Sequence, residues 1–422
     1  MANRIFLDLD PLRRSRDFRL LFAGQLAGVF GSQLTLVAVA FQVYSVTHSS
    51  LQVGAVSLVQ LIPLVLGALI GGTVGDAVDR RAILVVTSLS LGLASAGLAF
   101  NAFSSHPSVL AIYLVSAFTA GVGGVASTAC NAAVPSLVEA GQLVAAYASM
   151  QVVDQLGMVV APVLAGLLIG AINLEWVYLL VAGAYALTAL TMVRMSPSPP
   201  APGASPAGLG SIVEGLRYLR GRPVLQGAYL IDVNAMVFGM PRALFPALAT
   251  TVFHGGSGTL GLLFAAPAMG ALLGALTTGR LAHVRRQGAA VIVAVCVWGI
   301  AIVLFGLVHV LWIALALLMV AGWADVISAV LRTTILQSSV PEGFRSRIAS
   351  LQIVVVEGGP RLGDVESGAV ATLTSTGFSI VSGGLACVAG ALLLAAALPE
   401  FRTFEARSAR ADGTVPAPDA GG

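Results

Sequence analysis

The sequence predicts an all-α membrane protein with twelve transmembrane helices in two pseudo-symmetric six-helix halves. Of its 422 residues, 57% are hydrophobic and only 10% are charged, whereas soluble domains carry about 25% charged residues. About twelve apolar runs reach the length of about 20 residues that crosses a bilayer. A motif also returns 203 residues later, first as GALIGGTVGDAVDRRAIL from Gly67 and then as GALLGALTTGRLAHVRRQG from Gly270. A repeat at half the chain length indicates two similar halves.

The apolar runs define the predicted spans. In the first half they cover residues 19–46, 51–74, 82–103, 109–134, 143–170 and 176–194. In the second half they cover 225–252, 259–280, 289–308, 310–338, 345–373 and 376–398. The chain therefore divides into an N-terminal arm (1–18), an N-terminal half (19–195), a linker (196–224), a C-terminal half (225–398) and a tail (399–422).

The arginines predict which side of the membrane each loop occupies. All 22 basic residues are arginine, and 20 of them precede span 1 or follow spans 2, 6, 8, 10 and 12. Arg332, Arg345 and Arg347 surround the turn after span 10. The loops on the other side contain no arginine. By the positive-inside rule both termini and the linker are cytoplasmic, in an inner (plasma) membrane protein. This distribution reports topology, and we expect no nucleic-acid partner.

The linker begins with SPSPPAPGASP at residues 196–206, which cannot continue a helix. Behind it, Ser211 to Arg220 places apolar and charged residues on different faces of a helix. This pattern predicts a short amphipathic helix on the inner membrane surface, with a plain solvated linker helix as the alternative.

Further matches support the repeat. ASMQ at 148–151 resembles ASLQ at 349–352, an offset of 201 residues. Glu139 matches Glu342, and Asp154 matches Glu357, both at an offset of 203. We therefore expect parallel halves related by an axis along the membrane normal.

Ionisable residues within the spans indicate which helices line a cavity. Spans 3, 6, 9 and 12 have no charged residue in their cores, whereas spans 5, 7, 10 and 11 do. A charge at mid-membrane costs about 2.5–3.5 kcal/mol, so these side chains must face protein or water. We expect every third helix to be a lipid-facing support and the others to surround a polar path. The predicted substrate-binding or cavity residues are Gln33, Asp154, Asp232, Asn234, Arg242, Asp325, Glu357 and Arg361.

Span 11 is the most polar of the spans. Glu357, Arg361 and Asp364 follow i, i+4, i+7 spacing, so they share one face and Arg361 can pair with either acid. Gly358-Gly359-Pro360 lies among them and predicts a kinked or loosened helix. The alternative is an ion-pair ladder that only stabilises packing. In span 7, Arg242 follows Pro241 and is a candidate for binding an anionic ligand group or for a gate ion pair.

Signatures of enzymes and metal sites are missing from the sequence. It contains no HExxH, no GxSxG and no Walker-type nucleotide-binding loop, and its three cysteines lie far apart in apolar runs. We therefore expect no enzymatic activity, no cofactor and no metal. Uphill transport would then draw on an ion gradient, and a buried carboxylate could carry a proton. Asp154, Asp232, Asp325 and Glu357 all qualify by position.

The loop GGTVGDAVDRR after span 2 resembles the loop motif of the major facilitator superfamily, usually written G-x-L-x-D-R-x-G-R-R. Ala77 and Asp79 stand where that motif has a basic residue and a glycine. The resemblance implies the major facilitator fold and a rocker-switch transporter, with this loop latching the two halves in one state. The predicted gating-loop residues are Gly72, Asp76, Asp79, Arg80 and Arg81.

A closer resemblance covers nearly the whole chain. SVTHSSLQVGAVSL after span 1, LFPALA in span 7, GLLFAAPAMGALLGALTTGRLAHVRRQG in span 8 and ILQSSVPEGFRSRIASL after span 10 are similar to the enterobactin exporter branch. That branch exports a catecholate siderophore, which implies a proton-coupled exporter whose partners are a small amphiphilic molecule, protons and the lipid bilayer. Gln25 and Gln155 depart from it, because arginines are expected there.

Two other functions remain open on the sequence. A multidrug or macrolide efflux pump would keep the fold and change the substrate, and a broad apolar cavity would favour it. A charged cavity containing Arg242 and Arg361 would favour an anionic ligand. A transporter fold acting as a sensor or scaffold would be favoured by a large soluble extension, whereas the residues after Pro399 form a short, low-complexity tail.

Overall fold

The computed structural model describes residues 10–75, 77–198, 209–279, 284–341 and 344–405, and for residues 209–213, 345–347, 349–350 and 353 only the backbone. Eleven membrane-length helices and one shorter helix of 16 residues run through these ranges. In the N-terminal half they are α1 (Arg16–Thr47), α2 (Ser50–Gly75), α3 (Arg80–Phe103), α4 (Val109–Leu137), α5 (Leu143–Ile172) and α6 (Leu174–Val193). In the C-terminal half they are α7 (Pro223–Phe238), α8 (Ser257–Thr277), α9 (Gln287–Leu307), α10 (Leu311–Ser339), α11 (Arg345–Leu373) and α12 (Thr376–Ala397).

Eleven of the described helical segments are long and apolar enough to cross a membrane, with α7 counted together with its continuation to Val252. The twelfth, α11, has the length but carries Glu357, Arg361, Asp364 and Glu366. The predicted fold class, an all-α membrane protein with twelve spans in two halves, is therefore confirmed. The exception arises from the charges in α11, where Asp364 contacts Ser57 and Arg242, and Glu357 pairs with Arg361 within the helix.

Both chain ends lie at one face of the helix bundle, which we name the terminal face. The Ser196 N–H donates to the Asp17 carboxylate over 3.3 Å, so the start of α1 lies beside the end of α6. The Arg286 guanidinium lies 3.5 Å from the Glu405 carboxylate, so the chain after α12 returns to the start of α9. The α1–α2 turn lies at the other face, which we name the opposite face.

Helix α7 is broken where the sequence predicted one continuous span. It ends at Phe238, and the chain resumes as short turns over Arg242–Leu244, Phe245–Ala247 and Leu248–Val252. Pro241 has no N–H to donate to a helical hydrogen bond, which favours the break. The freed carbonyl of Gly239 accepts a hydrogen bond from the Trp298 indole at 2.9 Å. Arg242 therefore lies at a helix break rather than on a helix face.

Helix α11, in contrast, is continuous from Arg345 to Leu373 through Gly358-Gly359-Pro360, and the predicted kink or loosening at these residues stays a prediction. The glycines serve packing. A Cβ on Gly359 would lie 2.7 Å from the Met236 side chain, and one on Gly363 would lie 2.5 Å from the Met236 carbonyl oxygen. Their absent side chains let α7 approach α11 closely.

The two halves meet along two related seams near the opposite face. In the first, Gly54 of α2 packs on the Asp364 backbone of α11, and Gly368 packs on the Ser50 carbonyl. In the second, Gly166 of α5 packs on the Ser257 backbone of α8, and Gly261 packs on the Pro162 carbonyl. Helices α2 and α8 are the second helices of their halves, and α5 and α11 are the fifth. Each seam therefore pairs the second helix of one half with the fifth helix of the other, as a duplicated architecture requires.

Toward the terminal face the halves separate. In the described chain two hydrogen bonds join them directly, Ser57 to Asp364 and Ser257 to Gly166, and both belong to the seams at the opposite face. Further along α2 and α11 an apolar cleft of about 400 Å³ opens between Leu61 or Val65 and Val355 or Gly358. The bundle is thus sealed at the opposite face and splayed at the terminal face.

The repeated glycines found in the sequence occupy equivalent positions. Gly67 of α2 packs against the Gly121 backbone of α4, and Gly270 of α8 packs against the Met319 backbone of α10. Each therefore lets the second helix of its half lie directly on the fourth. The motif at half the chain length marks a real structural repeat.

The linker contains a helix, Leu209–Leu219, close to the predicted amphipathic segment. The Tyr218 ring stacks on Phe344 at 4.2 Å between centroids, and the Arg222 guanidinium lies 3.4 Å above the Tyr218 ring. This helix is therefore docked on the start of α11 by an aromatic contact. Its placement on a membrane surface stays a prediction.

We predict that Gly54→Val opens the seal at the opposite face. The added side chain would overlap the Asp364 backbone, and overpacking of this kind costs about 1–3 kcal/mol. Every 1.4 kcal/mol changes a population ratio about tenfold, so the α2–α11 seam should separate in a large fraction of molecules. Spin labels at Thr47 and Thr374 would report this as a longer distance between the two turns.

The matched control is Gly97→Val on α3, because nothing lies within 4 Å of a Cβ at that position. It makes the same chemical change in a helix without touching the seam. Equal label distances in wild type and Gly54→Val would show that the seam does not determine the closed state.

Candidate functional site

The seal at the opposite face contains a three-helix polar contact. Asp364 of α11 accepts a hydrogen bond from the Ser57 hydroxyl of α2 at 2.7 Å. Its carboxylate also lies 3.6 Å from the Arg242 guanidinium at the α7 break. The Asp364 side chain is 7% exposed and that of Arg242 is 31% exposed. The structure thus favours the gate ion pair over a free anion-binding arginine for Arg242, and Asp364 links the two halves.

One turn along α11, Arg361 pairs with Glu357 at 2.9 Å. The i, i+4 spacing had allowed either acid as its partner, and Asp364 is instead taken by Arg242 and Ser57. The Glu357 side chain is 47% exposed. Two arginines, each held by one acid, therefore lie on the same side of the bundle beneath the seal.

A second ion pair lies within the C-terminal half, between Asp232 of α7 and Arg332 of α10. Both side chains are almost fully buried, at 1% and 3% exposure. The sequence counts Arg332 among the arginines that surround the turn after span 10, but the structure does not place it at that turn. It lies inside α10, which continues to Ser339, so Arg332 carries no information on membrane sidedness. It is held in the bundle because a buried carboxylate needs a cationic partner.

Asp325 lies two turns before Arg332 on the same helix. Its carboxyl group is within electrostatic range of both Arg332 and Asp232. Its Oδ1 atom is buried and has no hydrogen-bond partner among the described residues. Asp232, Asp325 and Arg332 thus form one charged cluster, two members of which were predicted as cavity residues.

The N-terminal half has a smaller polar group. Asp154 of α5 lies beside the Gln25 amide of α1, and the Cys130 thiol of α4 lies 3.6 Å from the Gln25 oxygen. Gln33, further along α1, is partly buried. Asp154 and Glu357 are equivalent by the repeat, but Asp154 lies beside an amide and Glu357 is paired with an arginine. The two halves therefore present different chemistry at matching positions.

Asn234, predicted as a cavity residue, is directed elsewhere. Its amide donates to the Cys387 carbonyl of α12 at 2.8 Å and lies against Gly390. Asn234 therefore connects α7 to a support helix instead of presenting its amide to the cavity. The physical reason is that the small Gly390 leaves room for the amide, and α12 offers a carbonyl acceptor.

The gating loop contacts the end of its own half. The Asp79 carboxylate accepts from the N–H groups of Arg81 and Ser198, at 3.0 and 2.9 Å. The Arg80 N–H donates to the Ser198 carbonyl at 3.1 Å, and the Arg81 guanidinium donates to the Val193 carbonyl. These contacts fasten the loop to the end of α6 and the first residues of the linker.

Two other gating-loop residues give less information. Gly72 has open space around its Cβ position. Asp76 lies outside the described residues, so its predicted role stays a prediction. A cross-half latch is not formed by the loop residues that the structure describes, which agrees with a terminal face that is splayed open.

Two functional side chains were missed by the sequence analysis. Ser57 is one of several hydroxyl residues in apolar spans, and no local signal distinguishes it from the others. For Arg332 the sequence did contain a signal, because this arginine lies within the apolar run of span 10 and well before the next charged residue. That position indicates a residue inside the helix. Among the described residues no group of three acidic, His or Cys side chains could hold a metal ion.

The buried pair Asp232–Arg332 gives a stability prediction. Removing one member of a buried ion pair costs about 3–5 kcal/mol because the other charge is left unpaired. Arg332→Gln should therefore lower the thermal unfolding temperature of the detergent-purified protein strongly. Asp232→Asn combined with Arg332→Gln should recover most of the loss. A double variant no more stable than Arg332→Gln would show that the pairing is not what stabilises the site.

The matched control is Arg286→Gln, which breaks the exposed pair with Glu405. Exposed ion pairs contribute about 0–1 kcal/mol, so this variant should unfold close to the wild-type temperature.

Comparison with known proteins agrees with this geometry. The family described as transmembrane secretion effector matches residues 8–419. The enterobactin exporter EntS of Citrobacter koseri is 31% identical over 398 residues, which cover 94% of this chain and 95% of that protein. EntS of Escherichia coli O139:H28 is 30% identical over the same shares.

Solved structures show the same fold at low sequence identity. The nucleoside transporter NupG superposes with a TM-score of 0.72 at 12% identity, covering 92% of this chain and all of that one. The arrangement of the helices in two halves is therefore the fold of that solved structure. Because the family matches almost the whole length, the chain belongs to the transmembrane secretion effector family of major facilitator transporters, and it is a multi-pass membrane transporter rather than an enzyme.

Proposed function

We propose that the protein exports a small amphiphilic molecule of the siderophore type across the inner membrane by proton-coupled alternating access. The observation that carries this proposal is the end-to-end similarity to the enterobactin exporters, at 31% identity over 94% of the chain. A relative that matches over its whole length shares the full transport framework and not one module alone. The two-half bundle, sealed at one face and splayed at the other, supports a rocking mechanism.

The proposed orientation places the terminal face in the cytoplasm. The connections at that face carry the arginines that follow α2, α6 and α8, whereas the connections after α1, α3, α5, α9 and α11 at the opposite face have none. In this orientation the described state is open toward the cytoplasm. An exporter in that state is ready to receive its substrate from inside the cell.

The substrate class follows from the groups beneath the seal. Arg242 and Arg361 are partly exposed there and offer guanidinium groups to an anion, such as a catecholate or carboxylate oxygen. Each already has an acid partner, so an anionic substrate would compete with Asp364 for Arg242. Loss of the Arg242–Asp364 pair would then weaken the seal and favour opening to the outside.

The alternative is a multidrug or macrolide efflux pump. The cleft between α2 and α11 favours it, because its lining is aliphatic, with Leu61, Val65, Val355 and Leu362 among the walls. An apolar drug would need no arginine and would fill this cleft. Asp76 and the arginines of the gating loop keep the same proposed role in either case, as a latch between the halves in the outward-open state.

The function is tested with a deletion strain of the source bacterium. Under iron starvation the strain should retain siderophore inside the cell and secrete less of it, and the plasmid-borne gene should restore secretion. A drug-susceptibility panel is run on the same strains. Normal secretion combined with raised drug susceptibility would replace the siderophore proposal with the efflux alternative.

The role of Arg242 gives a further prediction. Arg242→Ala should abolish siderophore export while the protein still reaches the membrane, because it removes both the anion-binding group and the partner of Asp364. Export by Arg242→Ala at the wild-type rate would refute the assignment.

A double variant separates the two roles. Asp364→Asn added to Arg242→Ala removes the unpaired acid that the single change leaves in the seal. If Arg242 acts only on the gate, export should return in the double variant. If it binds the substrate anion, the double variant should stay inactive, and Arg242→Lys should retain part of the activity because it keeps the charge.

A further inference from the structure

The charged cluster of α7 and α10 has a composition that substrate binding does not explain. Asp325, Ser328 and Arg332 follow i, i+3, i+7 spacing on α10 and share one helix face. Asp232 of α7 pairs with Arg332 across the helix contact. We name these four residues the α7–α10 cluster. It lies within the C-terminal half, away from the seams that join the halves.

The charges in this cluster do not balance. Asp232 and Arg332 neutralise each other, which leaves the carboxyl group of Asp325 without a cation of its own. Asp325 lies within electrostatic range of both Asp232 and Arg332. Its Oδ1 is nevertheless buried without a hydrogen-bond partner among the described residues. An uncompensated charge in a membrane-embedded bundle is strongly unfavourable. The cluster therefore needs one more positive charge.

The described side chains of the neighbouring helices do not supply that charge. Within Ser257–Thr277, α8 has no titratable side chain, and α9 has only Cys296. Apart from Asp232, α7 contributes Tyr229, whose hydroxyl donates to the Ile348 carbonyl. On α11, Arg361 is paired with Glu357. In the described part of the chain, Arg332 is thus the one cation of the cluster.

A second group in the cluster points to the missing ligand. Ser328 is fully buried, and its Oγ has no hydrogen-bond partner among the described residues. A protonated Asp325 would be neutral and would become a hydrogen-bond donor, which the Ser328 oxygen can accept. A metal cation fits less well, because hard cations take about six oxygen ligands and Asp232 is already occupied by Arg332.

We propose that Asp325 is a proton-binding site of the C-terminal half, with Arg332 as a counter-ion shared with Asp232, and that its proton is the coupling ion of export. When Asp325 holds the proton, Arg332 forms its ion pair with Asp232, as in this structure. When the proton leaves, Asp325 on α10 competes with Asp232 on α7 for the same guanidinium. Proton binding is in this way linked to the contact between two helices. The coupling part rests on the proposed export function, whereas the proton site does not.

The proton site is tested on the purified protein without substrate. Infrared difference spectra are recorded during a pH titration of wild type, Asp325→Asn and the control Asp154→Asn, which neutralises an acid of the other half. We expect one carboxylic C=O band to be present in wild type and Asp154→Asn and absent in Asp325→Asn. Asp325→Glu, which keeps an acid at the position, should restore a band at a shifted frequency.

Two outcomes would overturn the proton site. The first is an unchanged set of carboxylic bands in Asp325→Asn, which would show that this acid never holds a proton. The second is a titration midpoint that moves when sodium chloride replaces choline chloride, which would identify a metal cation as the ligand.

Coupling is tested in proteoliposomes with enterobactin as the probe. Addition of enterobactin should drive proton movement in wild type, and Asp325→Asn should lose it while still exchanging enterobactin across the membrane. Proton movement by Asp325→Asn at the wild-type rate would refute the coupling role. If wild type does not move enterobactin, the proposed substrate is wrong, and the infrared titration still decides whether Asp325 binds a proton.

Discussion

Lipid offers no partner to a charged side chain, and this constraint arranges the polar chemistry of the whole bundle. Most of the ionisable groups inside the described helices for which a contact is seen lie against a complementary group. Asp364 lies between Ser57 and Arg242, Asp232 pairs with Arg332, and Glu357 pairs with Arg361. The cores of α3, α6, α9 and α12 contain no charged residue, and their position as lipid-facing supports stays a prediction.

Because a charged side chain must find its partner within the protein, the two seams between the halves are held by different kinds of contact. The α5–α8 seam joins the halves by glycine packing and a single serine hydrogen bond. The α2–α11 seam adds a carboxylate that is bound from both halves at once. Glycine contacts can separate without moving large side chains apart. They therefore offer little resistance when one half rocks against the other. The charged contact is the part of the seal whose strength depends on what else binds Arg242.

Much of the architecture could be predicted from the sequence because it rests on local or periodic signals. Hydropathy gave the spans, and the offset of 203 residues between Gly67 and Gly270 gave the two halves. The partner of Asp364 could not be chosen in this way, because Ser57 lies 307 residues away in the chain. Arg332 was misplaced because counting arginines treats each one as a loop residue, although a buried acid on another helix can hold it in the bundle. Asn234 was misplaced for a similar reason, since its acceptor is a backbone carbonyl of α12.

The low hydropathy of α11 has a consequence for how the protein enters the membrane. Each charge at mid-membrane costs about 2.5–3.5 kcal/mol, so a helix carrying four of them does not partition into lipid as an independent segment. The groups that compensate its charge, Ser57 on α2 and Arg242 after α7, lie earlier in the chain. They are already synthesised when α11 leaves the ribosome. We therefore expect α11 to insert stably only when α2 and the segment after α7 are already in the membrane.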